Sequence, residues 1–382
     1  MKILVISTFP SHPVNAGNIS WINTQCSLLQ KLGHEVHFLF VRHPFYRSIS
    51  EDSIQATARY WGNAFHLYQC DKWDRAVMKL TRKTRRMLHH PDNCWTADSQ
   101  YPRHLSTFVR RLNDAQHFDA CIVQYYFLTR VFADVSFPRT ALSTHDCFSY
   151  RNTRVNDLPS MYTTLDEERK AMQRCGFIFA LQDEERFYFQ NLSPNSRALN
   201  VFSYYEHIPS QVAGNHNIVM LSSSNVFNTS ATRWFLDEVF PVLRKDYPDA
   251  RIILGGSICK ALSEYSTREG VQLLGFVDDA ATLYNQGDVA INPVSQGTGL
   301  KIKTFEAVQY DKVTIVHPHS TNGVFEPSRA PMLVAETVQE WTEAFHRVWD
   351  NPQTIIDVKQ KNAHYLQRMN DYVIGQYQLF LK

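Results

Sequence analysis

Short apolar runs, each followed by a polar or glycine-bearing turn and then a helical stretch, recur through the chain, and this rhythm constrains the fold more than any other feature. The first half opens with a strand over 3–7, crosses a polar loop containing Pro10, Pro13 and Gly17, and enters a helix predicted over 20–32. That helix stops at Gly33, ahead of a strand over 35–41. Strand, helix, strand is a βαβ unit, which requires parallel pairing. Further strands are expected over 120–124, 140–143 and 177–180, with a polar helix over 165–174. The rhythm restarts with strands over 217–222, 250–254, 271–274, 289–292 and 314–316, alternating with helices over 231–246, 280–285 and 300–310. Two helices, 338–349 and 353 to the end, close the chain. The connection over 205–215 is polar and carries Pro209 and Gly214, so two successive doubly wound α/β domains fit better than one barrel.

The stretch Gly297-Thr298-Gly299-Leu300-Lys301-Ile302-Lys303-Thr304-Phe305-Glu306-Ala307-Val308 joins a glycine-flanked turn to a helix bearing two lysines and a glutamate among apolar neighbours. The first turn of a helix has unpaired N–H groups and a positive dipole end, so a pyrophosphate is stabilised there. Gly297 and Gly299 would let such a ligand approach the backbone. The preceding Val289-Ala290-Ile291-Asn292-Pro293-Val294 reads as a buried strand.

With 382 residues, 44% of them hydrophobic and 20% charged, the chain can bury two cores of ordinary size. Lys+Arg 39 against Asp+Glu 37 leaves a formal charge of +2, which argues for no nucleic-acid partner. The seven cysteines show no Cys-x-x-Cys pair and no recurring Cys/His spacing, so reduced thiols are expected, with no disulfide and no structural zinc. The apolar start at Met1 to Ser7 is too short for a signal peptide and no uncharged run reaches membrane-spanning length, so a cytoplasmic location is expected.

Several stretches of the second half occur in the order seen in one known family. They are Ser224-Asn225-Val226-Phe227-Asn228 with Arg233-Trp234-Phe235-Leu236; Ala250-Arg251-Ile252-Ile253-Leu254-Gly255-Gly256; Val271-Gln272-Leu273-Leu274-Gly275-Phe276-Val277; Gly287-Asp288-Val289-Ala290-Ile291-Asn292-Pro293; and the Gly297 to Val308 motif. Over 217–325 the chain resembles the C-terminal domain of family 4-like (group 1) glycosyltransferases of the GT-B fold. In the N-terminal half the resemblance rests on the 3–7 strand, the Gly17 loop and the Leu32-Gly33-His34-Glu35-Val36 turn. It implies two Rossmann-like doubly wound domains facing each other across a cleft. These would be an acceptor-binding domain over 1–206, a nucleotide-sugar-binding domain over 207–364, and a C-terminal helix over 365–382 crossing back to the first.

The resemblance also assigns roles. Glu306 matches the second glutamate of the family's pair, whose task is to accept hydrogen bonds from the ribose hydroxyls of a UDP- or GDP-sugar. The first glutamate of the pair, which touches the transferred sugar, is replaced by Thr298. With Gly299 and Leu300 at the helix start, the diphosphate is expected to be neutralised by Lys301 and Lys303. The two stand two positions apart and cannot both face one ligand squarely, and Lys301, nearer the helix start, is favoured. Asn228 and Arg233 stand on the first loop and helix of the second domain, where relatives carry a basic pair, and Gly275, Phe276 and Val277 match the segment reading the nucleobase edge. Gly17 and Asn18 are placed in a loop closing over phosphate or sugar. No metal and no cofactor beyond the donor are implied.

Transfer of a glycosyl group passes through an oxocarbenium-like state while charge builds on the leaving diphosphate. Inversion would also need a base for the acceptor hydroxyl, and His145 with Asp146 is the candidate; under retention, the course to which the Glu306 helix points, His145 would bind the donor sugar or polarise the acceptor. Asp146 alone has the ordinary alternative of a turn cap. Residues 72–90 place Trp73, Val77, Leu80, Thr84 and Met87 at near-helical spacing among Lys72, Arg75, Lys79, Arg82, Lys83, Arg85 and Arg86. Such a helix either lies on an anionic membrane, which would suit a lipid-linked acceptor, or faces the core with its basic side solvated. The function these features imply is transfer of a hexosyl unit to a saccharide or lipid-linked acceptor in surface polysaccharide or glycoconjugate assembly. A nucleotide-sugar epimerase of the same fold and a non-catalytic nucleotide-sugar binder are the alternatives. A dinucleotide dehydrogenase is disfavoured, since no Gly-x-Gly-x-x-Gly follows the first strand.

Overall fold

The computed structural model describes residues 1–14, 17–46, 49–88, 91, 93–151, 161–297 and 302–382. The chain divides into two compact units, one of Met1–Tyr204 with Val373–Lys382 and the other of Tyr205–Tyr372.

The first unit is built on a parallel sheet in the order β3-β2-β1-β4-β5-β6-β7. Its strands are β1 (Lys2–Ser7), β2 (Glu35–Arg42), β3 (Phe65–Gln69), β4 (Ala120–Gln124), β5 (Arg139–Ser143), β6 (Phe177–Ala180) and β7 (Arg197–Asn200). The main helices are α1 (Gly17–Lys31), α2 (Glu51–Trp61), α3 (Lys72–Met87), α4 (Leu105–Gln116), α5 (Leu165–Met172) and α6 (Asp183–Leu192). The central strands are apolar throughout because both faces are covered: Leu4, Ile6, Cys121 and Val123 enter one core, while Ile3, Val5, Ile122 and Ala141 are buried on the other face. Gln124 stands opposite Ser143 at the carboxyl edge.

The second unit repeats the plan with the order β10-β9-β8-β11-β12-β13. Its strands are β8 (Asn217–Leu221), β9 (Arg251–Gly255), β10 (Val271–Gly275), β11 (Val289–Asn292), β12 (Val313–Val316) and β13 (Met332–Val334). Its helices include α7 (Val226–Trp234), α8 (Phe240–Asp246), α9 (Ala280–Tyr284), α10 (Ile302–Gln309) and α11 (Val338–Trp349), and α12 (Pro352–Leu381) belongs to it up to Tyr372 and to the first unit from Val373. Side chains alternate between two cores, Ile218 and Met220 with the larger and Val219 and Ile253 with the smaller.

Two expectations need correction. The helix expected from 20 begins at Gly17, so Gly17 and Asn18 form its first turn and not a loop. The helix expected over 231–246 starts five residues earlier and opens into a wider π turn, Phe235–Val239, before α8. Pro241 lacks the N–H an unbroken α-helix would need there. The helix expected over 300–310 is described from Ile302, and Leu300 lies outside the described residues.

Candidate functional site

In the second unit the strand order reverses between β8 and β11, and in an open parallel sheet the carboxyl ends of such strands border the ligand crevice. Ser222, Ser223 and Ser224 leave the end of β8 and lead to Asn225, which caps α7 by accepting the Asn228 amide at 2.8 Å on Oδ1. The Asn228 side-chain amide donates to Ser223 O at 3.0 Å and Ser223 Oγ at 3.1 Å, which turns its own Oδ1 towards Lys303. Lys303 Nζ, in the first turn of α10, donates to that oxygen at 2.6 Å and to Ser222 Oγ at 3.2 Å. A lysine, the β8 exit and the start of α7 therefore meet at the switch point. Beneath them Asn292, at the end of β11, donates to Thr304 Oγ1 at 2.8 Å and ties the strand to α10.

One turn further along α10, Glu306 keeps part of its surface open, yet burial pushes its carboxyl up to about 7. The Lys303 charge and a hydrogen bond from the Tyr284 phenol act in the opposite direction. Gly275 ends β10 at φ 74 and is followed by Phe276, 75% exposed, while Val277 turns back with Cγ2 near Gly255. Gly256, at φ 94, lies under the Ser222 carbonyl, where any Cβ would collide with backbone, and its N–H donates to Gly275 O at 2.6 Å. The β8, β9 and β10 exits are thus locked together. His319 Nε2 donates to Gly297 O at 2.9 Å and holds the last described residue before α10. Neither His319 nor Ser222 carried a sequence signal, because each acts through a partner distant in the chain.

Asn228, Lys303 and Glu306 are brought together, while Gly275 ends β10 and Phe276 and Val277 follow it. Thr298, Gly299, Leu300 and Lys301 lie outside the described residues. The inward lysine that the structure describes is Lys303. Arg233, at the far end of α7, pairs with Glu264 and donates to Ala261 O, so it is committed away from Lys303 and Asn228.

In the first unit the order reverses between β1 and β4. There Tyr125 and His145, just beyond β4 and β5, both adopt left-handed φ angles of 71 and 66, a strained backbone for residues with side chains. The result is a stack with ring centroids 4.0 Å apart and planes 5° apart. Asn18 donates to the Tyr125 hydroxyl at 3.3 Å, so the expected Asn18 and His145 meet through a tyrosine that sequence reasoning missed. His145 Nε2 donates to Gln124 Oε1 at 2.8 Å. Burial, and then the Arg151 charge, push its imidazole down to about 3, so it stays neutral near pH 7. A base so weak is poorly matched to taking a proton from a hydroxyl. Asp146 is not its partner: Asp146 Oδ1 accepts the Cys147 amide at 2.8 Å and Oδ2 accepts Arg151 Nε at 2.7 Å, which is the capping arrangement of a turn.

Residues 215–351 match the family described as glycosyl transferases, group 1. The matched stretch of the second unit is thus similar to group 1 glycosyl transferases. An uncharacterized 44.6 kDa protein in the cps region of Klebsiella pneumoniae is 27% identical over 106 residues, a stretch that spans 25% of this chain and 27% of that relative. Among solved structures, the pneumococcal O-GlcNAc transferase GtfA with UDP and GlcNAc aligns at TM-score 0.68 and 9% identity, covering 100% of this chain and 98% of that one. A mutant of S. aureus TarM in complex with UDP aligns at 0.66 and 8%, covering 99% of each chain. Anabaena HepE with UDP-glucose aligns at 0.64 and 12%, again covering 99% of each. At these identities the likeness is one of fold, and that fold is GT-B.

Outside the candidate site, α3 departs from ordinary packing. Only Asp74 and Met78 of the helix are buried. Trp73, Val77, Leu80 and Met87 form an exposed stripe, joined by Leu88 just past the helix end. The apolar stripe therefore does not face the core. No described helix is long and apolar enough to cross a membrane, and no described group of three or more His, Cys, Asp or Glu is arranged to hold a metal.

Proposed function

We propose that the chain transfers a hexosyl unit from a UDP-sugar to a hydroxyl of a saccharide or lipid-linked acceptor, in the assembly of surface polysaccharide or another glycoconjugate. The observation that carries this reading is the meeting of Ser222, Asn228 and Lys303 at the switch point of the domain that matches the group 1 glycosyl transferases. As the sugar–phosphate bond breaks, charge develops on the leaving diphosphate, and a preorganised ammonium beside a helix start stabilises it more in the transition state than in the ground state. On this reading Lys303 and the α10 amides supply the charge a divalent cation would otherwise bring, so transfer needs no metal. Glu306 takes the ribose hydroxyls, and the Gly275 to Val277 backbone reads the base. UDP is favoured over GDP because the GtfA and TarM structures hold UDP and that of HepE holds UDP-glucose.

Retention of configuration is the preferred course. A His145 held at about 3 suits a hydrogen-bond acceptor better than a general base, and retention needs no base on the protein for the acceptor. We also infer that the enzyme works on the inner face of an anionic membrane through α3, whose exposed apolar stripe is bordered by Lys72, Lys79 and Lys83. The test is to incubate the chain with a panel of UDP- and GDP-sugars and follow nucleoside diphosphate release with and without acceptor, then read the anomeric configuration of the product by NMR. UDP release that rises with acceptor supports transfer. Epimerised donor, or tight binding without turnover, would replace it with one of the alternative activities.

A further inference from the structure

A buried row of hydrogen bonds runs from the C-terminal segment of the first unit to His145. Gln25 Nε2 donates to the Tyr377 hydroxyl at 2.9 Å, Gln124 Nε2 donates to Gln25 Oε1 at 2.7 Å, and Gln124 Oε1 faces His145 Nε2 at 2.8 Å. Gln25, Gln124 and Tyr377 are at most 2% exposed, so no water competes for these groups. We propose that Gln124, oriented by Gln25 and Tyr377, is a positioning residue that keeps His145 as its neutral Nε2–H tautomer and so presents Nδ1 as the acceptor for a substrate hydroxyl.

Donors and acceptors must match along this buried row. An amide oxygen only accepts, so the nitrogen facing Gln124 Oε1 must carry the proton, and a neutral imidazole then leaves the other nitrogen bare. Flipping Gln124 alone would set its N–H₂ against the Nε2 proton and its oxygen against Gln25 Oε1, two unsatisfied contacts in a dry interior. Nδ1 has no hydrogen-bond partner among the described residues. The Tyr125 stack fixes the ring plane, and the strained turn at His145 fixes where the ring leaves the backbone. The inference rests on the transfer reading only for the identity of the hydroxyl.

The direct measurement is a long-range ¹H–¹⁵N correlation spectrum of the full chain labelled at histidine, with His145 assigned by the signal lost in His145→Gln. The expected pattern is a protonated Nε2 and a bare Nδ1. Gln124→Met, which keeps the length and removes the acceptor, is expected to mix the two tautomers and lower kcat about tenfold with donor KM unchanged. Gln124→Glu, which keeps an oxygen opposite Nε2, is expected to restore the single tautomer. A protonated Nδ1 in the wild-type chain, as the hydrogen bonds reversed end to end would give, overturns the proposal, and that spectrum decides even if Gln124→Met fails to fold. Gln124→Met with wild-type tautomer and wild-type kcat overturns it equally. Absence of turnover in the wild-type chain would instead sink the transfer reading, and the substrate role of Nδ1 with it, while the spectrum still judges the tautomer.

Discussion

Lys303 Nζ lies 2.6 Å from Asn228 Oδ1, a hydrogen bond that joins the first turn of α10 to the first turn of α7. Asn228 is uncharged, so it aims the ammonium without neutralising it. That is the condition for a lysine to receive a diphosphate. Lys303→Met should therefore weaken UDP binding by about 1.5–3 kcal/mol, the range for a hydrogen bond to a charged group. Calorimetric titration with UDP measures it, and an affinity equal to wild type would remove Lys303 from the site.

On the proposed ribose role, Glu306 would give donor binding a pH dependence of defined sign. Its folded pKa is raised to about 7, so the neutral form is favoured in the free protein below that pH, and its contribution to stability is complete below pH 4.5 and lost as pH rises through 7. Donor binding runs the other way, because only the ionised carboxylate accepts protons from both ribose hydroxyls. UDP-glucose, whose diphosphate does not titrate in this range, should bind more tightly at pH 8 than at pH 6. Glu306→Gln should bind weakly at both. A flat wild-type profile would mean that Glu306 does not meet the ribose.

The alternation of strand and helix, and with it both central sheets, was legible because strands covered on two faces must be apolar throughout, as in Ile3-Leu4-Val5-Ile6 and Val289-Ala290-Ile291. Two edge strands, β3 and β13, escaped for the converse reason. In β3, Phe65-His66-Leu67-Tyr68-Gln69, only Tyr68 is buried, and Met332-Leu333-Val334 of β13 has no buried residue, so neither shows a core pattern. Glu306 was visible through the family resemblance and Lys303 as one of two lysines behind a glycine turn, of which Lys301, outside the described residues, was the one favoured. Gln25, Gln124 and Tyr125 were not, since what makes them notable is contact across the sheet between residues up to 352 positions apart. The stripe on α3 was readable from its spacing, but which of its faces met the core depended on Asp74, which accepts hydrogen bonds from the Tyr68 hydroxyl and the Arg103 amide and turns the helix inward on its polar side.

Asp146 separates a structural from a chemical role for the turn after β5. Its two oxygens are committed to the Cys147 amide and to Arg151. Asp146→Asn should cost about 1–3 kcal/mol of stability, as for a buried polar group losing a charged partner, and should leave most of the specific activity of the folded fraction. Thermal melts and active-site-normalised kcat measure the two. Lost activity at unchanged stability would return Asp146 to the chemistry.

Gly256 tests the locking of the strand exits around the candidate site. At φ 94, with the Ser222 carbonyl where a Cβ would go, Gly256→Ala must shift the backbone after β8 or β9. A loss of about 2–4 kcal/mol is expected from strain and collision together, with weaker UDP binding because Ser222 also holds Lys303. Gly33→Ala is the control: it has a positive φ but nothing within 4 Å of a Cβ, and should cost less and leave UDP binding intact. Equal losses in the two variants would show that crowding at Ser222 has no consequence.

The stripe on α3 makes a prediction that needs no substrate. Trp73 is 69% exposed and Leu80 64%, and they lie seven residues apart on one side of the helix, with Val77 between them. Large apolar side chains grouped in this way mark an interaction surface, and the lysines and arginines alongside select an anionic one. The wild-type chain should sediment with vesicles containing anionic phospholipid, bind neutral vesicles poorly, and release from the anionic ones as salt rises. Trp73→Glu with Leu80→Glu should reduce that binding about tenfold or more, since burial of an aromatic and a leucine side chain is worth roughly 1.5–3 kcal/mol each. Because both residues are exposed, the melting temperature should not fall, which separates lost docking from lost folding. Equal binding to neutral and anionic vesicles would remove the electrostatic half of this reading, and a double variant that binds as wild type would remove the helix from the membrane altogether.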